Sequence, residues 1–394
     1  MMLASGATEV ATAEDADVAI FNSCSVTAAA EAELRKDVRR AARANPLVRT
    51  IVMGCAPGLA ARDENINPLR TLPTVTESVA GADLELIASA VGLSRDASRS
   101  RRGVQTGARG LLRIQDGCDE HCTFCATTLA RGSNRSRPMA EIIGEAESLA
   151  DIHPEIVLTG IHIGSYGLDI GSSLSSLVEA LIARVSTVRF RLSSLEATEV
   201  DARLRDLFAD GSRLVPYLHA PLQSGSDRVL KRMGRSWYTA GEYESRIGHI
   251  ISQRSVFGLG ADVICGFPGE TEEDHRETIA LIERLPFTSL HVFPYSPRPG
   301  AASVRLPRPV GSSEIQRRCA ELRELGRLKS AAYRATRVGG RADVVVTAAG
   351  EGLSEDYLSV VIQVPGIRRR DRFAATLAEW QGMLTATPIA TLSA

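Results

Sequence analysis

The chain is short of several things that would place it quickly. No stretch of its 394 residues approaches the roughly 18 uninterrupted apolar residues needed to cross a bilayer, so no membrane span is expected. Met1 to Val10 have neither a basic flank nor an apolar core, which argues against a secretory signal. Neither charge sign dominates: 46 Lys and Arg face 47 Asp and Glu, so any nucleic-acid-binding surface must be local. There is no internal repeat, no GxGxxG, no P-loop and no HExxH, which removes the simplest dinucleotide, nucleotide-hydrolase and zinc-protease readings. Cysteine is scarce too, with seven in all: Cys24, Cys55, Cys118, Cys122, Cys125, Cys265 and Cys319. A cytoplasmic chain, whose cysteines are thiols or metal ligands rather than disulfides, is the expectation.

What is present is an alternation of short apolar runs with charged, helix-period stretches. From Val18 to about Leu93 the order reads strand, helix, strand, helix, which favours a parallel α/β layer. Residues 94–109 are rich in Ser, Arg and Gly without periodicity and read as a linker. Strands are then predicted at 111–115, 155–159, 188–192, 215–219, 260–264 and 289–293. Helices fit between them at 139–151, 173–185, 199–209, 239–255 and 271–284, the pattern of a partial βα barrel. A charged helix follows over 312–337. Beyond it, runs at 343–347, 357–363, 372–377 and 383–387 lack helices, as in a small all-β barrel. The expected organisation is therefore α/β: an N-terminal layer over 1–93, a linker over 94–109, a partial barrel over 110–337 and a β module over 338–394.

Three of the seven cysteines fall within eight residues, as Cys118-x3-Cys122-x2-Cys125, just after the first barrel strand. Active sites of such barrels lie at the C-terminal ends of the strands. Three thiolates can hold three irons of a [4Fe–4S] cube and leave the fourth open to a substrate atom. The competing reading is a structural zinc with His121 as fourth ligand. Zinc sites of that kind usually use two separated ligand pairs, and His121 adjoins Cys122, so the spacing favours iron–sulfur. Cys265 and Cys319 read as ordinary strand-end and helix-face residues.

The motif C-x3-C-x2-C with Phe124 before its last cysteine resembles the radical S-adenosylmethionine signature. Ile114-Gln-Asp-Gly-Cys118, Arg131-Gly132, Leu192-Ser-Ser194, Pro221-Leu-Gln-Ser-Gly-Ser226 and Leu230-Lys-Arg-Met-Gly-Arg235 resemble its methylthiotransferase branch. The segments Leu158 to Gly167 and His291 to Gly300 are similar to the branch acting on N6-threonylcarbamoyladenosine in tRNA. The resemblance covers roughly residues 17–365. It implies an N-terminal domain with a second [4Fe–4S] cluster, a radical barrel and a C-terminal TRAM-like module, suggested here by Ser354 to Leu358. Asn22-Ser-Cys24 and Met53-Gly-Cys55 match two of three expected ligands of that second cluster. The family's first ligand lies on an earlier strand, so this sequence is expected to be N-terminally short, with an incomplete second site.

The resemblance implies a 5′-deoxyadenosyl radical made from S-adenosylmethionine, and a methylthio group placed on C2 of the modified adenine beside the anticodon. It assigns Cys118, Cys122 and Cys125 to the radical cluster. It gives Phe124, Gly160, His162, Ser193, Ser194, Glu196, Gln223, Ser224 and Phe293 as cofactor contacts. Ser and Gly at strand ends are also ordinary turn residues. His219 and His291 read equally well as satisfied core histidines. Arg131, Arg135 and Arg137, with Arg368, Arg369 and Arg370, are the expected RNA contacts. The partners implied are tRNA, an electron donor such as flavodoxin or ferredoxin, and a sulfur source. Alternatives are the same chemistry on isopentenyladenosine tRNA or on a ribosomal-protein aspartate. A truncated copy that only cleaves S-adenosylmethionine or binds RNA, or a zinc-stabilised RNA-binding module, is a further alternative.

Overall fold

The computed structural model describes residues 7–24, 27–61, 69–81, 83–93, 105–209 and 212–389. The chain forms two compact units. The first comprises residues 1–104, 116–135 and 296–306, and the second the remainder. The linker expected at 94–109 lies outside the described residues as far as 104.

The first unit is built on a parallel sheet of β1 (Val18–Ser23), β2 (Arg49–Gly54) and β3 (Val75–Ala80), in that order. Between β1 and β2 runs α1 (Ala28–Ala44), started by Thr27, whose hydroxyl accepts from the Ala30 amide. Leu34, Val38, Ala41 and Ala42 recur at helical spacing and form its buried face. Strand β3 was not anticipated, because Thr76, Glu77 and Ser78 separate Val75 from Val79 and Ala80 and leave no apolar run. Helix α2 (Cys55–Ala60) leaves directly from β2, and α3 (Leu84–Ala90) follows β3. Helix α4 (Thr127–Arg131) crosses α2 at Gly58, where a Cβ would stand 2.1 Å from the Ala130 carbonyl oxygen. Residues 296–306 belong here as well. Arg298 is buried against Glu31, Ser296 Oγ accepts from the Ala28 amide at 3.1 Å, and the Ser303 amide donates to the Thr123 carbonyl at 2.8 Å.

The second unit contains two three-stranded parallel sheets. One is β4 (Gly110–Arg113), β5 (Glu155–Thr159) and β6 (Arg189–Leu192); the other is β7 (Tyr217–His219), β8 (Gly258–Cys265) and β9 (Ser289–Pro294). Single parallel bridges, Phe190 to Leu214 and Ser194 to His219, join them into one partial barrel. Its outer face is the core: Leu112, Ile156, Leu158, Phe190, Leu192, Leu218, Leu259, Ala261, Val263 and Val292. They pack on α5 (Met139–Ala150), α6 (Leu174–Arg184), α9 (Ala240–Ile251), α10 (Glu272–Arg284) and α11 (Ser312–Arg337). The helix expected at 199–209 is instead a single 3-10 turn, Ala197–Glu199, and a short α7 (Ala202–Asp206). Helix α8 (Asp227–Arg232) was not anticipated.

Residues on the other face of each strand line the concave side, since side chains alternate. At its lower end Glu155, Arg189 and Arg191 are all essentially solvent-free. Arg189 Nε and Arg191 Nε donate to the two Glu155 oxygens at 2.7 and 2.9 Å. Burial alone would push the Glu155 carboxyl upward, but the two guanidiniums outweigh it and hold it down at about 2.

The C-terminal module is a closed antiparallel-rich barrel of β10 (Arg341–Ala348), β11 (Glu351–Ser354), β12 (Ser359–Val361), β13 (Arg372–Trp380) and β14 (Met383–Pro388), ordered β10-β11-β12-β14-β13. It seats on the charged end of the partial barrel. Arg189 Nη2 donates to the Leu353 carbonyl at 3.1 Å and Arg191 Nη2 to the Ser354 carbonyl at 3.2 Å. No described helix is long and apolar enough to cross a membrane.

Candidate functional site

In the first unit the three-cysteine motif is a loop folded on itself. Gly117 takes φ +77°, and its Cα lies so close to Ser133 that a Cβ would stand 1.9 Å from that carbonyl oxygen. The Cys118 amide donates to the Gly132 carbonyl at 3.0 Å, and the Asn134 amide to Asp119 Oδ1 at 3.1 Å, which ties the two ends together. A tight turn, Cys125 N to Cys122 O at 3.1 Å, sets the last two cysteines. All three are half-buried. Backbone amides point at two of the sulfurs, Glu120 N at Cys118 Sγ (3.4 Å) and Thr127 N at Cys125 Sγ (3.3 Å). Phe124 is half-buried within the loop. The donor set, three soft thiols on a pinned loop, therefore fits an iron–sulfur cluster.

Cys24 and Cys55 follow the adjacent residues Ser23 and Gly54, which are register partners at the C-terminal ends of β1 and β2. Cys24 is exposed and Cys55 half-buried. Ser23 Oγ anchors the corner, donating to the Met53 carbonyl at 2.6 Å and accepting from the Ala56 amide at 3.0 Å. Arg131, expected to face RNA, is instead turned inward: its Nε donates to Cys55 Sγ at 3.3 Å, and its guanidinium sits 3.6 Å from Asp116. Arg135 is exposed.

In the second unit the expected cofactor contacts gather at the strand ends. Gly160 follows β5, and a Cβ there would stand 2.8 Å from Gln115 Oε1. That same oxygen accepts from the amides of Ile161 and His162 at 3.0 and 2.9 Å, so buried Gln115 shapes this turn. No sequence signal marks Gln115 for this role, since a lone glutamine beside a cysteine motif reads the same whether or not its amide is buried. His162 Nε2 pairs with Glu199 at 2.6 Å. Ser193 Oγ is buried and has no hydrogen-bond partner in the structure. Ser194 bridges to His219. Glu196 is clamped by Arg235, whose guanidinium stacks 4.9 Å from the Trp237 ring centre, and Trp237 Nε1 reaches Glu196 at 3.3 Å.

Gln223 holds φ +63° and is threaded onto β8 by two backbone bonds, its amide to Asp262 O (2.8 Å) and its carbonyl from Ile264 N (2.9 Å). Ser224 differs from its neighbours. It is 1 % exposed, and its hydroxyl accepts from the Ser226 amide and contacts Thr278 of α10. Phe293 is half-buried, edge-on to His291 at 6.4 Å. His219 and His291 are not plain core histidines, because both reach Asp262. Cys265 and Cys319 are buried together, and burial pushes the Cys265 thiol far up, followed in effect by the Cys319 sulfur beside it.

The remaining arginines divide. Arg137 is engaged with the Arg113 carbonyl (2.6 Å) and Glu145 (2.8 Å), and Arg370 with the carbonyls of Gln105 and Gly107. Arg368 and Arg369 are exposed.

Residues 112–282 match the family model for the Radical SAM superfamily, and residues 1–70 match the one described as Uncharacterized protein family UPF0004. The chain is 31% identical over 370 residues to the threonylcarbamoyladenosine tRNA methylthiotransferase MtaB of Aquifex aeolicus, covering 89% of each chain. It is 36% identical over 313 residues to the Bacillus subtilis protein of the same name, covering 74% of this chain and 68% of that one. A solved cobalamin- and [4Fe–4S]-bound radical S-adenosylmethionine methyltransferase, TsrM from Kitasatospora setae, aligns at 16% identity and a TM-score of 0.48, covering 72% of this chain and 66% of that one. The chain belongs to the radical S-adenosylmethionine methylthiotransferase family: it is an enzyme that transfers methylthio groups to tRNA, with a [4Fe–4S] cluster and S-adenosylmethionine as its cofactors.

Proposed function

We propose that the enzyme places a methylthio group on C2 of N6-threonylcarbamoyladenosine next to the tRNA anticodon. The observation that carries this reading is the pinned cysteine loop, Cys118, Cys122 and Cys125, in a chain that aligns over 89% of its length with a relative of that printed name. When bound, the cluster would supply the single electron that splits the sulfonium bond of S-adenosylmethionine. The protein's own part is positional. The three thiols would ligate iron, and the amides of Glu120 and Thr127 would hold two of the sulfurs in position.

The turn built on Gln115, with Gly160 and His162, and the strand-end groups Ser193, Ser194, Glu196 and Gln223 are the candidate S-adenosylmethionine contacts. Phe124 on the cysteine loop and Phe293 on β9 are each proposed as a further contact. Ser193 Oγ, buried without a partner, is suited to receive such a contact. Cys24 and Cys55, side by side at two strand ends, would provide two thiolates of a second cluster. Exposed Arg135, Arg368 and Arg369 are the proposed RNA contacts, and tRNA binding in the cytoplasm with reduction by a flavodoxin or ferredoxin completes the scheme.

The test is iron and acid-labile sulfide per chain after anaerobic reconstitution, for wild type and for Cys118/Cys122/Cys125→Ala, together with mass analysis of tRNA nucleosides. Wild type should convert threonylcarbamoyladenosine tRNA to its 2-methylthio form, and the triple variant should not. Iron retained by the triple variant at about one cube's worth would support a second cluster on Cys24 and Cys55. Product on isopentenyladenosine tRNA instead would replace the substrate assignment.

A further inference from the structure

The concave face of β7, β8 and β9 carries an unusually polar wall. Side-chain alternation places Tyr217 and His219 of β7, Gly260 and Asp262 of β8, and Ser289, His291 and Phe293 of β9 on that face. In register, Gly260 sits between His219 and Ser289, and Asp262 opposite His291. A Cβ on Gly260 would stand 2.6 Å from Tyr217 Oη, 2.7 Å from His219 Nδ1 and 2.9 Å from Ser289 Oγ. Three polar atoms thus converge over a residue with no side chain, and only Phe293 among these groups is apolar.

Beside this cradle, one carboxylate oxygen serves two imidazoles. His219 Nε2 lies 3.1 Å and His291 Nδ1 3.2 Å from Asp262 Oδ1. The three donor atoms fall within 4.8 Å of one another, a spacing a divalent ion could also use. Each nitrogen–oxygen separation, however, is that of a formed N–H···O bond, so the ring donors are already committed to the aspartate. Burial would raise the Asp262 carboxyl, but the hydrogen bonds from His219 and His291 outweigh it and keep it far below the usual carboxylate range. The bond to Asp262 raises the His291 imidazole against a smaller opposing effect of burial. His219 is nearly buried at 10 % side-chain exposure, whereas His291 stands open at 57 %. With Nδ1–H committed to Asp262, the far nitrogen of His291, Nε2, carries an N–H when the imidazole is protonated, the form that the paired aspartate favours.

A threonylcarbamoyl arm offers a carboxylate, a hydroxyl and amide-type N–H and C=O groups. An isopentenyl arm offers only hydrocarbon, and a wall of imidazole, phenol and hydroxyl groups would be poorly matched to it. We propose that His291, oriented by Asp262, recognises the carboxylate of the modified adenine's side arm, while half-buried Ser289 bonds another of its polar atoms. This rests on the substrate reading above and adds the residues that would enforce it. His291 then discriminates between substrates by a charge-assisted hydrogen bond that an uncharged arm cannot accept.

The experiment measures dissociation constants for two synthetic anticodon stem-loops of one sequence. One carries the threonylcarbamoyl arm, and the other has the arm's carboxylate replaced by a carboxamide. Wild type should prefer the carboxylate form by about tenfold or more, the worth of one charge-assisted bond. His291→Gln should bring the ratio close to one, and Ser289→Ala should lower affinity for both forms by about threefold while keeping the preference. A wild type without preference, or a His291→Gln variant that keeps it, overturns the proposal. Methylthiolation of threonylcarbamoyladenosine tRNA by wild type is assayed in parallel. Its failure would sink the substrate reading, whereas its success beside an unaltered His291→Gln ratio would sink only the role of His291. If His291→Gln melts below the assay temperature, Asp262→Asn, which removes the orienting charge, is expected to give the same loss of preference.

Discussion

Tyr217 and Tyr357 lie face to face, their ring centres 4.5 Å apart and their planes 24° from parallel, with the Arg191 guanidinium 4.9 Å from the Tyr357 ring centre. One ring opens a strand of the partial barrel and the other sits in a turn of the β module, so this stack is the apolar part of an otherwise charged seat. The same seat is tight at the backbone: a Cβ on Gly258 would stand 2.2 Å from the Asp356 carbonyl oxygen.

Gly258→Ala should therefore push the β module off its seat. We expect a loss of about 2–4 kcal/mol and new protease cleavage between residues 338 and 388. Calorimetry and limited proteolysis would read it, and an unchanged melting curve would contradict the packing described.

Glu155 makes stability depend on acid. Its carboxyl is held at about 2 in the fold, against 4.5 as the ordinary value. A depressed carboxylate contributes fully above the unfolded value, and the contribution is lost as pH falls through the folded one. Between roughly pH 4.5 and pH 2 wild type should lose of order 3 kcal/mol from this group. Glu155→Gln leaves Arg191 buried without its counter-charge and Arg189 with Asp343 alone. It should cost about 3–5 kcal/mol at neutral pH and flatten the acid limb of urea-denaturation stability plotted against pH.

Gly117→Ala tests the cysteine loop without touching a thiol. Positive φ and the 1.9 Å approach to Ser133 leave no room for a methyl group, so the loop must open. Iron per chain after reconstitution should fall toward that of the triple cysteine variant. Gly144→Ala, in the middle of α5 with open space around it, should keep its iron and gain about 0.5–1 kcal/mol from helix propensity.

Arg298 and Glu31 form a nearly buried pair in the first unit. Arg298→Ala leaves that carboxylate largely unpaired, with Arg35 only at 4.0 Å, and should cost about 3 kcal/mol. The double change with Glu31→Gln should recover part of it, a coupling that a double-mutant cycle would measure.

The sequence exposed its main frame through contrast. β8 and β9 place an apolar residue at every second position, Leu259, Ala261 and Val263 and then Leu290 and Val292, between charged helices, and the pinned loop announced itself through cysteine spacing. Helix α8 escaped because Asp227 to Arg232 offers only Val229 and Leu230 as buried anchors, too few to establish a period. The aspartate that joins His219 to His291 escaped for another reason. The three lie on three different strands, and only register brings them together, which no local pattern encodes. The inward turn of Arg131 was equally illegible, since an arginine beside a cysteine loop reads the same whether it meets RNA or the sulfur of Cys55.

The seat of the β module also sets an order of events in time. Arg189 bonds the Leu353 carbonyl across 164 positions of chain, and Arg191 bonds the Ser354 carbonyl across 163. During synthesis the strands that carry Glu155, Arg189 and Arg191 leave the ribosome well ahead of the floor that covers them. Until then Glu155, Arg189 and Arg191 remain in water, where charge is cheap. Closure from below must be a late step of maturation, because contacts that distant in sequence are slow to find. A nascent chain paused before residue 340 would leave Glu155, Arg189 and Arg191 open to water at the lower end of the partial barrel.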